Sequence, residues 1–571
     1  LGYAEIGLIA VKRLAAASSC VCSFRASSAS RRLLNLDLKL DESKFMNWLE
    51  LLTTDEHGLD RNEPMYARIT AGIRKAIQSG QLTDNSRLPT NRELATLLKI
   101  DRSTVSRAYL ELSQSGLIDS HVGRGTYVRP SSQRDATSLT ATSMSNSKLN
   151  WNDKFSESSR AALDLIRRQP AGSEKPDTIS FAGGIPTEEF YPSEQFQRIV
   201  SHLLASEHAS KMFGYSAAEG SSYLRTQVKS HLRNHGIECG DDELLIVSGS
   251  QQGIDLVTNV FVDPGDLVVL EDPSYFWAIC NFRARQARCL PITLDDEGIR
   301  LDLIESALAR QRAKLLYVMP SYQNPTGATM SLPRRLALIE LAKKYQVPIL
   351  EDNFVGDLVY GASVLPPLRS LPGGKDVVIH QGTFSKALCP GLRLGWLVAP
   401  PEVTARLLLA KRTSDLSTNS IAQIILARYL EEGLYSKHLE HVRLSYRSRR
   451  DAMLDALGRH FASSELVSKM TWSSPDGGLF IWAKLANGLS AREFLNFAER
   501  QGVSFSPGDI FFLNGGHSEF FRLCFIQTEE SIIEEGVKRL AKAMRSYLET
   551  VARLNSSEIS GEARVRNNVL I

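Results

Sequence analysis

The sequence predicts a multidomain chain: a small, mainly α winged helix-turn-helix near the N-terminus, then a large α/β domain ending in a smaller α+β subdomain. Three observations carry this. At 571 residues the chain exceeds what one hydrophobic core organises. Between Pro64 and Val128 apolar residues recur at helical spacing and then give way to two short β-like runs around glycines. From Asp177 onward short apolar runs alternate with amphipathic stretches, the pattern of βα units with a mainly parallel sheet.

The bulk numbers exclude several classes. Hydrophobic content of 43% and charged content of 23% are those of ordinary globular protein. Net charge is only +3, yet Arg61–Pro130 holds 11 Lys and Arg against 6 Asp and Glu, a local basic footprint suited to phosphate contacts. The 7 cysteines form no CxxC pair and no metal-ligand pattern, so reduced thiols in a cytoplasmic protein and no metal site are expected. No apolar run reaches the roughly 20 residues that span a bilayer. Residues 1–45 are expected to be a non-native or disordered extension, with Met46 the candidate start. Val11–Leu34 is rich in Arg, Ser and Ala and free of acids, which is also the composition of an organellar transit peptide.

Within the domain expected at 62–130, Ile69, Ile73 and Ile77 mark a first helix. Gly80 and Asp84–Pro89 break it. Thr90 or Asn91 caps a second helix carrying Glu93, Leu94, Leu97 and Leu98. Asp101 caps a third, with Val105, Ala108, Tyr109 and Leu112 on one face, and Gly116 ends it. Leu117–Ser120 and Thr126–Val128 then flank a glycine turn as a two-stranded wing. Residues 131–175 are expected to be a flexible linker, Ser/Thr-rich at first, with Ala161–Ile166 a candidate short helix.

In the domain expected at 176–550, Leu244–Val247, Leu267–Leu270, Leu315–Met319, Ile349–Leu350, Val377–His380 and Leu394–Val398 read as strands, and Pro333–Lys344 as an intervening helix. From Ser420 the chain is mostly helical, then mixed. Residues 551–571 are a polar tail expected to fray.

The segment Gly382-Thr-Phe-Ser-Lys-Ala-Leu-Cys-Pro-Gly-Leu-Arg-Leu-Gly-Trp396 places a lysine beside hydroxyls and seven residues before an arginine. With Ser248-Gly-Ser-Gln-Gln-Gly253, Glu271-Asp-Pro-Ser-Tyr275, Tyr322-Gln-Asn-Pro-Thr-Gly327, Glu351-Asp352 and Phe521-Arg-Leu-Cys-Phe525 in this order, the region Asp177–Tyr547 resembles the fold-type I aminotransferases. The resemblance implies pyridoxal 5'-phosphate. Lys386 is then the residue that joins the cofactor aldehyde as an aldimine. Asp352 is the partner of the pyridine nitrogen, Asn324 the donor to the ring oxygen and Tyr275 the aromatic stacked on the ring. Ser250 and Gln251 at a helix N-terminus, with Thr383, Ser385 and Arg393, form the phosphate cup. Tyr215 resembles the tyrosine that reaches the phosphate of the neighbouring subunit, which implies a homodimer. Arg522 resembles the arginine that grips a substrate or effector carboxylate. One departure is visible: where these enzymes carry a tyrosine two or three residues past the ring aspartate, this chain has Phe354 and Val355. One hydrogen bond to the cofactor is lost, and fast transamination is in question.

The segments Leu88-Pro-Thr-Asn-Arg-Glu-Leu-Ala95, Asp101-Arg-Ser-Thr-Val-Ser-Arg-Ala-Tyr109 and Gly123-Arg-Gly-Thr-Tyr-Val128 resemble the GntR family. That resemblance implies double-stranded DNA as partner. Arg102, Ser103, Thr104 and Arg107 then lie on the recognition helix, Arg92 at a phosphate, and Arg124 on the wing tip. A GntR-type reader joined to an aminotransferase-like domain resembles the MocR-type regulators. The combination implies a cytoplasmic, dimeric transcriptional regulator that senses the cofactor or an amino acid or related amine. The alternative is a working aminotransferase with a fused DNA-binding head.

Overall fold

In the computed structural model the described residues are 65–121, 125–130, 149–166, 177–206, 209–361, 364–486 and 488–567. They fall into two compact units divided between Lys148 and Leu149. The extension expected at 1–45, most of the expected linker and the wing-tip residue Arg124 lie outside the described residues.

In the first unit α1 (Met65–Gln78), α2 (Asn91–Leu98) and α3 (Arg102–Gln114) pack around Ile69, Ile73, Leu94, Val105, Ala108 and Leu112, all buried. Thr90 caps α2 in a full capping box with Glu93. Asp101 caps α3, its carboxylate accepting from the Ser103 N–H at 2.7 Å. The wing holds three strands where two were expected. β1 (Arg87–Leu88) lies in the stretch read as a helix break and pairs antiparallel with β3 (Gly125–Val128), which also pairs with β2 (Ile118–His121). Two residues with one inward side chain are too short to show a period of two, yet pairing satisfies their backbone groups. Leu112→Ala should cost about 2–5 kcal/mol, a large share of what so small a core supplies. Protease sensitivity of this unit is expected to rise, while the melting transition of the second unit, which has its own core, is kept.

The second unit is organised by an eight-stranded sheet in the order β5-β12-β11-β10-β9-β6-β7-β8. The central strands are parallel: β6 (Leu267–Asp272), β7 (Arg288–Asp295), β9 (Leu315–Val318), β10 (Ile349–Asp352) and β11 (Val378–Thr383). β5 (Leu244–Val247), β12 (Gly395–Val398) and β8 (Gly298–Ile299) are antiparallel to their neighbours. The apolar runs that announced β5, β6, β9 and β10 are buried on both faces, as covered strands must be. Flanking helices include α4 (Ser250–Phe261), α5 (Phe276–Ala284), α6 (Leu332–Tyr345), α7 (Pro401–Ser414) and α8 (Ser420–Glu431).

The long α9 (Leu434–His460) leads to the smaller subdomain, whose sheet runs β13-β14-β17-β16, and α9 packs along α10 (Glu530–Asn567). Its strands are β13 (Met470–Trp472), β14 (Phe480–Leu485), β16 (Ser506–Pro507) and β17 (Phe520–Cys524). β15 (Val503–Ser504) instead pairs in parallel with β4 (Ile179–Ser180), drawing the start of the unit into the subdomain. The candidate short helix Ala161–Ile166, inside the expected linker, is the second part of a helix Glu157–Ile166 that packs on α5. One expectation needs correction. The tail expected to fray continues α10 through Asn567, with no proline to break it.

Candidate functional site: a lysine, an aspartate and an arginine at the sheet edge

The C-terminal ends of β10 and β11 and the turn into α4 meet on one side of the large sheet, where ligands of α/β folds are held. Lys386 follows β11. Its Nζ donates to the Gly184 carbonyl at 2.8 Å, and burial, followed by the nearby Arg522 and Arg393 charges, brings its pKa down to about 8. Cys524 works against that shift. An amine at this value has a far larger neutral fraction at physiological pH than an ordinary lysine, and the neutral form is what attacks an aldehyde.

Asp352 ends β10 and is buried. Its Oδ2 accepts from the Tyr317 hydroxyl at 2.7 Å, while Oδ1 is buried without a hydrogen-bond partner. Burial pushes the carboxyl up to about 6 against the Tyr317 bond that lowers it. A buried acceptor of this kind calls for a donor, preferably cationic.

The turn before α4 has the shape of an anion cradle. Gly249 stands at φ 84°, and no side chain caps the helix that starts at Ser250. A Cβ on Gly249 would come within 2.6 Å of Arg393 Nη2, so glycine is what lets the guanidinium approach the turn. Arg393 Nη2 donates to the Ser248 carbonyl at 3.2 Å, and Nη1 lies 3.5 Å from the Ser385 hydroxyl. The Thr383 hydroxyl donates to Ser385 Oγ at 2.9 Å. First-turn N–H groups, two hydroxyls and a guanidinium are what a phosphate dianion needs.

Arg522, on β17, is buried, and burial lowers its pKa to about 10. Its Nη1 donates to Asn324 Oδ1 at 2.7 Å, and its Nη2 to the carbonyls of Ala182 and Gly183 at 2.9 and 3.0 Å. The guanidinium lies 4.0 Å over the Phe480 ring. Ala182–Gly184 thus touches both cations, Arg522 and Lys386. Tyr275 is close enough to Asp352, Arg522 and Arg393 for their charges to act on its hydroxyl, whose pKa burial raises.

The chain therefore brings together Lys386, Asp352, Asn324, Tyr275 and Arg522, with Ser250, Gln251, Thr383, Ser385 and Arg393 at the adjoining cradle. Tyr215 stands apart, 89% exposed, two residues from Phe213, which is exposed as well. Phe354 and Val355 pack in apolar clusters and offer no hydroxyl. Sequence reasoning missed Tyr317, which sits in an apolar run and read as strand core. It also missed Ala182–Gly184, where only the Gly-Gly pair hinted at a close approach.

These residues fit pyridoxal phosphate. Asp352 keeps a buried carboxylate oxygen without a partner that would suit a ring N–H, an uncapped helix start meets Arg393, and the Arg393 charge helps depress the pKa of Lys386.

In the first unit, Arg92, Arg102, Ser103 and Arg107 are exposed and Thr104 is half-buried. Ser103 donates its hydroxyl to Asp101 at 2.6 Å. The Arg107 guanidinium lies 3.9 Å over the Tyr66 ring, which steadies it on the outer face of α3.

Comparison with known proteins agrees with both units. The family described as "Aminotransferase class I and II" matches residues 187–540, and "Bacterial regulatory proteins, gntR family" matches residues 65–128. The HTH-type transcriptional regulator YisV of Bacillus subtilis, itself uncharacterized, is 30% identical over 85% of this chain and 97% of its own length. A probable rhizopine catabolism regulatory protein, MocR of Rhizobium meliloti, is 26% identical over 85% of this chain and 94% of its own. The crystal structure of LysN, an alpha-aminoadipate aminotransferase from Thermus thermophilus complexed with N-(5'-phosphopyridoxyl)-L-leucine, superposes with TM-score 0.65. It is 36% identical and covers 70% of this chain and 100% of LysN. Among the described residues no helix is long and apolar enough to cross a membrane.

Proposed function

Since this chain belongs to the class I and II aminotransferase family and carries the gntR-type head of MocR-type transcriptional regulators, we propose that it is a DNA-binding regulator that senses through a pyridoxal phosphate site. The large domain holds the cofactor covalently through Lys386 and reads the cofactor, or an amino acid or related amine that meets it. The observation that carries the reading is the assembled set of Lys386, Asp352, Asn324 and Arg522, with the Gly249–Arg393 cradle, on one polypeptide with a capped helix-turn-helix.

When bound, pyridoxal phosphate supplies an electrophilic aldehyde and a ring that withdraws electrons. The chain does the rest. Lys386 offers a neutral amine at Nζ. Asp352 keeps Oδ1 for a ring N–H, with Tyr317 fixing the carboxylate through Oδ2. Arg393, Thr383, Ser385 and the start of α4 hold phosphate. Arg522 presents a planar fork for a carboxylate once Ala182 and Gly183 release it. Covalent capture of added cofactor should speed up as pH rises from 6 and level off above about 8, because the reacting form of Lys386 is the neutral one. Stopped-flow absorbance at several pH values checks this. A rate independent of pH through that range contradicts it.

On DNA, Arg102, Ser103, Thr104 and Arg107 of α3 read base edges while Arg92 positions a phosphate. Arg102→Ala should lose about 1–3 kcal/mol of discrimination between specific and random duplexes. Arg92→Ala should weaken both alike and reduce the salt slope by about one. Binding isotherms across salt check the division; equal loss of specificity in both variants refutes it. A homodimer acting in the cytoplasm suits this reading, with exposed Tyr215 and Phe213 offered to the partner subunit.

The second reading, a working aminotransferase with a fused head, is favoured by retention of the whole lysine, aspartate, asparagine and arginine set. Release of a keto acid in single turnover with an amino acid would establish it. Phe354 and Val355 argue for a slow reaction.

A further inference from the structure

Behind the cofactor site, on the turn that leaves β10, three polar side chains converge in an otherwise apolar setting. His231 lies in the last turn of the helix Ser222–Arg233, and His235 follows one turn later, so the pair faces one way. Asp357 reaches them from the turn five residues past Asp352. The His235 Nε2 lies 2.9 Å from Asp357 Oδ1, and the His231 Nε2 lies 3.4 Å from Asp357 Oδ2. Their ligand atoms all fall within 4.8 Å of one another, and among the described residues this is the one such group of three.

The two histidine–aspartate separations, which are also hydrogen-bond distances, lie close to those between ligands on one small cation. With bonds of about 2.0–2.2 Å, neighbouring ligand atoms stand roughly 3.0–3.5 Å apart in octahedral or tetrahedral sites. Both histidines present the same nitrogen, and the carboxylate gives one oxygen to each. A cavity of about 10 Å³, lined by these three and by Asn353, Phe354 and Trp396, adjoins them, enough for one small occupant.

The surroundings are those of a supported metal site. From α9 the Tyr435 hydroxyl donates to Asp357 Oδ2 at 2.5 Å, fixing the carboxylate, and Arg443 Nε donates to the Asp357 main-chain carbonyl at 2.6 Å, fixing the turn. The rings of Phe384, Trp396 and Tyr435 surround His231 with centroids 5.5–5.8 Å away. Outer hydrogen bonds that orient the ligands, inside an apolar shell, are what give a site affinity. Two imidazoles and one carboxylate select a divalent first-row transition metal over calcium or magnesium.

We propose that His231, His235 and Asp357 form a binding site for one divalent transition-metal ion, with zinc as the probe. The site is separate from the proposed cofactor chemistry and stands or falls independently of it. It fixes the turn Asn353–Asp357, which carries Phe354, against the end of the helix that bears the histidines.

The full chain, loaded with cofactor, is equilibrated with Zn²⁺, freed of excess and assayed for metal. One zinc per chain is expected. His235→Gln and Asp357→Asn should lose it while keeping cofactor absorbance as the check of fold. Tyr435→Phe, which removes only the orienting bond, should weaken affinity about 10-fold or more. X-ray absorption of the zinc-loaded, unsubstituted chain should show two imidazole nitrogens and carboxylate oxygen, and it decides the matter if a variant does not fold. No zinc retained by the unsubstituted chain overturns the proposal. So does full zinc retained by both variants, or a zinc shell without two imidazoles.

Discussion

Lys386→Ala is expected to abolish the yellow absorbance of the purified protein and all label introduced by borohydride reduction. Lys386 Nζ is half-buried, hydrogen-bonded to the Gly184 carbonyl and adjacent to two arginine charges that favour its neutral form. Alanine removes the only atom of this position that can bond to an aldehyde carbon. The cradle of Gly249, Ser385 and Arg393 is untouched, so phosphate-bearing compounds should still bind, reversibly. The small unit has its own core and should still bind random DNA. Peptide mapping after reduction is the check. A label found on another lysine, or a yellow variant, sinks the assignment.

Arg522→Ala should give the second large effect. The guanidinium is buried and serves Asn324, Ala182 and Gly183 at once. Its loss strands the buried Asn324 Oδ1 and leaves the partly buried Gly183 carbonyl without this donor, while Ala182 keeps the Ser506 hydroxyl; a buried stranded acceptor costs about 1–3 kcal/mol, so a lowered melting temperature is expected. For an amino ligand the consequence is larger. Removing one partner of a buried, hydrogen-bonded charge pair costs about 2–5 kcal/mol, a loss of tens- to thousands-fold in affinity. The variant should keep covalent cofactor and basal DNA binding, and it should respond to amines lacking a carboxylate as before. Arg522→Lys keeps the charge but not the fork and should recover only part of the response. Calorimetry with an amino acid and with its decarboxylated amine checks the claim; equal affinity of the variant and the parent for the amino acid contradicts it.

Much of the fold was legible because its strongest signals are local. Leu244–Val247 and Leu267–Leu270 announced covered strands, and Thr90, Asp101 and Gly116 punctuated the small unit. The ordered motifs around Asn324, Asp352 and Lys386 follow strands of the large sheet, whose ends bring distant segments together, while Arg522 sits in the middle of β17. What escaped was of another kind. Arg87–Leu88 is too short to show a period. Arg288–Asp295 is a half-exposed strand whose arginine, proline and aspartate mask it. Tyr317 looked like core because its role depends on a hydroxyl 35 residues from its partner. His235 and Asp357 are 122 residues apart, beyond any spacing rule.

The central claim is that the cofactor site governs DNA reading by one and the same chain. The direct measurement is the affinity of the full chain for its genomic target duplex, with and without pyridoxal phosphate and a carboxylate-bearing amine, for the parent and for Lys386→Ala. An effector shifts an equilibrium only by its differential affinity for the two states, so the shift must reverse when it is removed. The account predicts that affinity or footprint changes on cofactor and amine addition in the parent and stays fixed in Lys386→Ala. Superimposable isotherms for the parent under all conditions would contradict it.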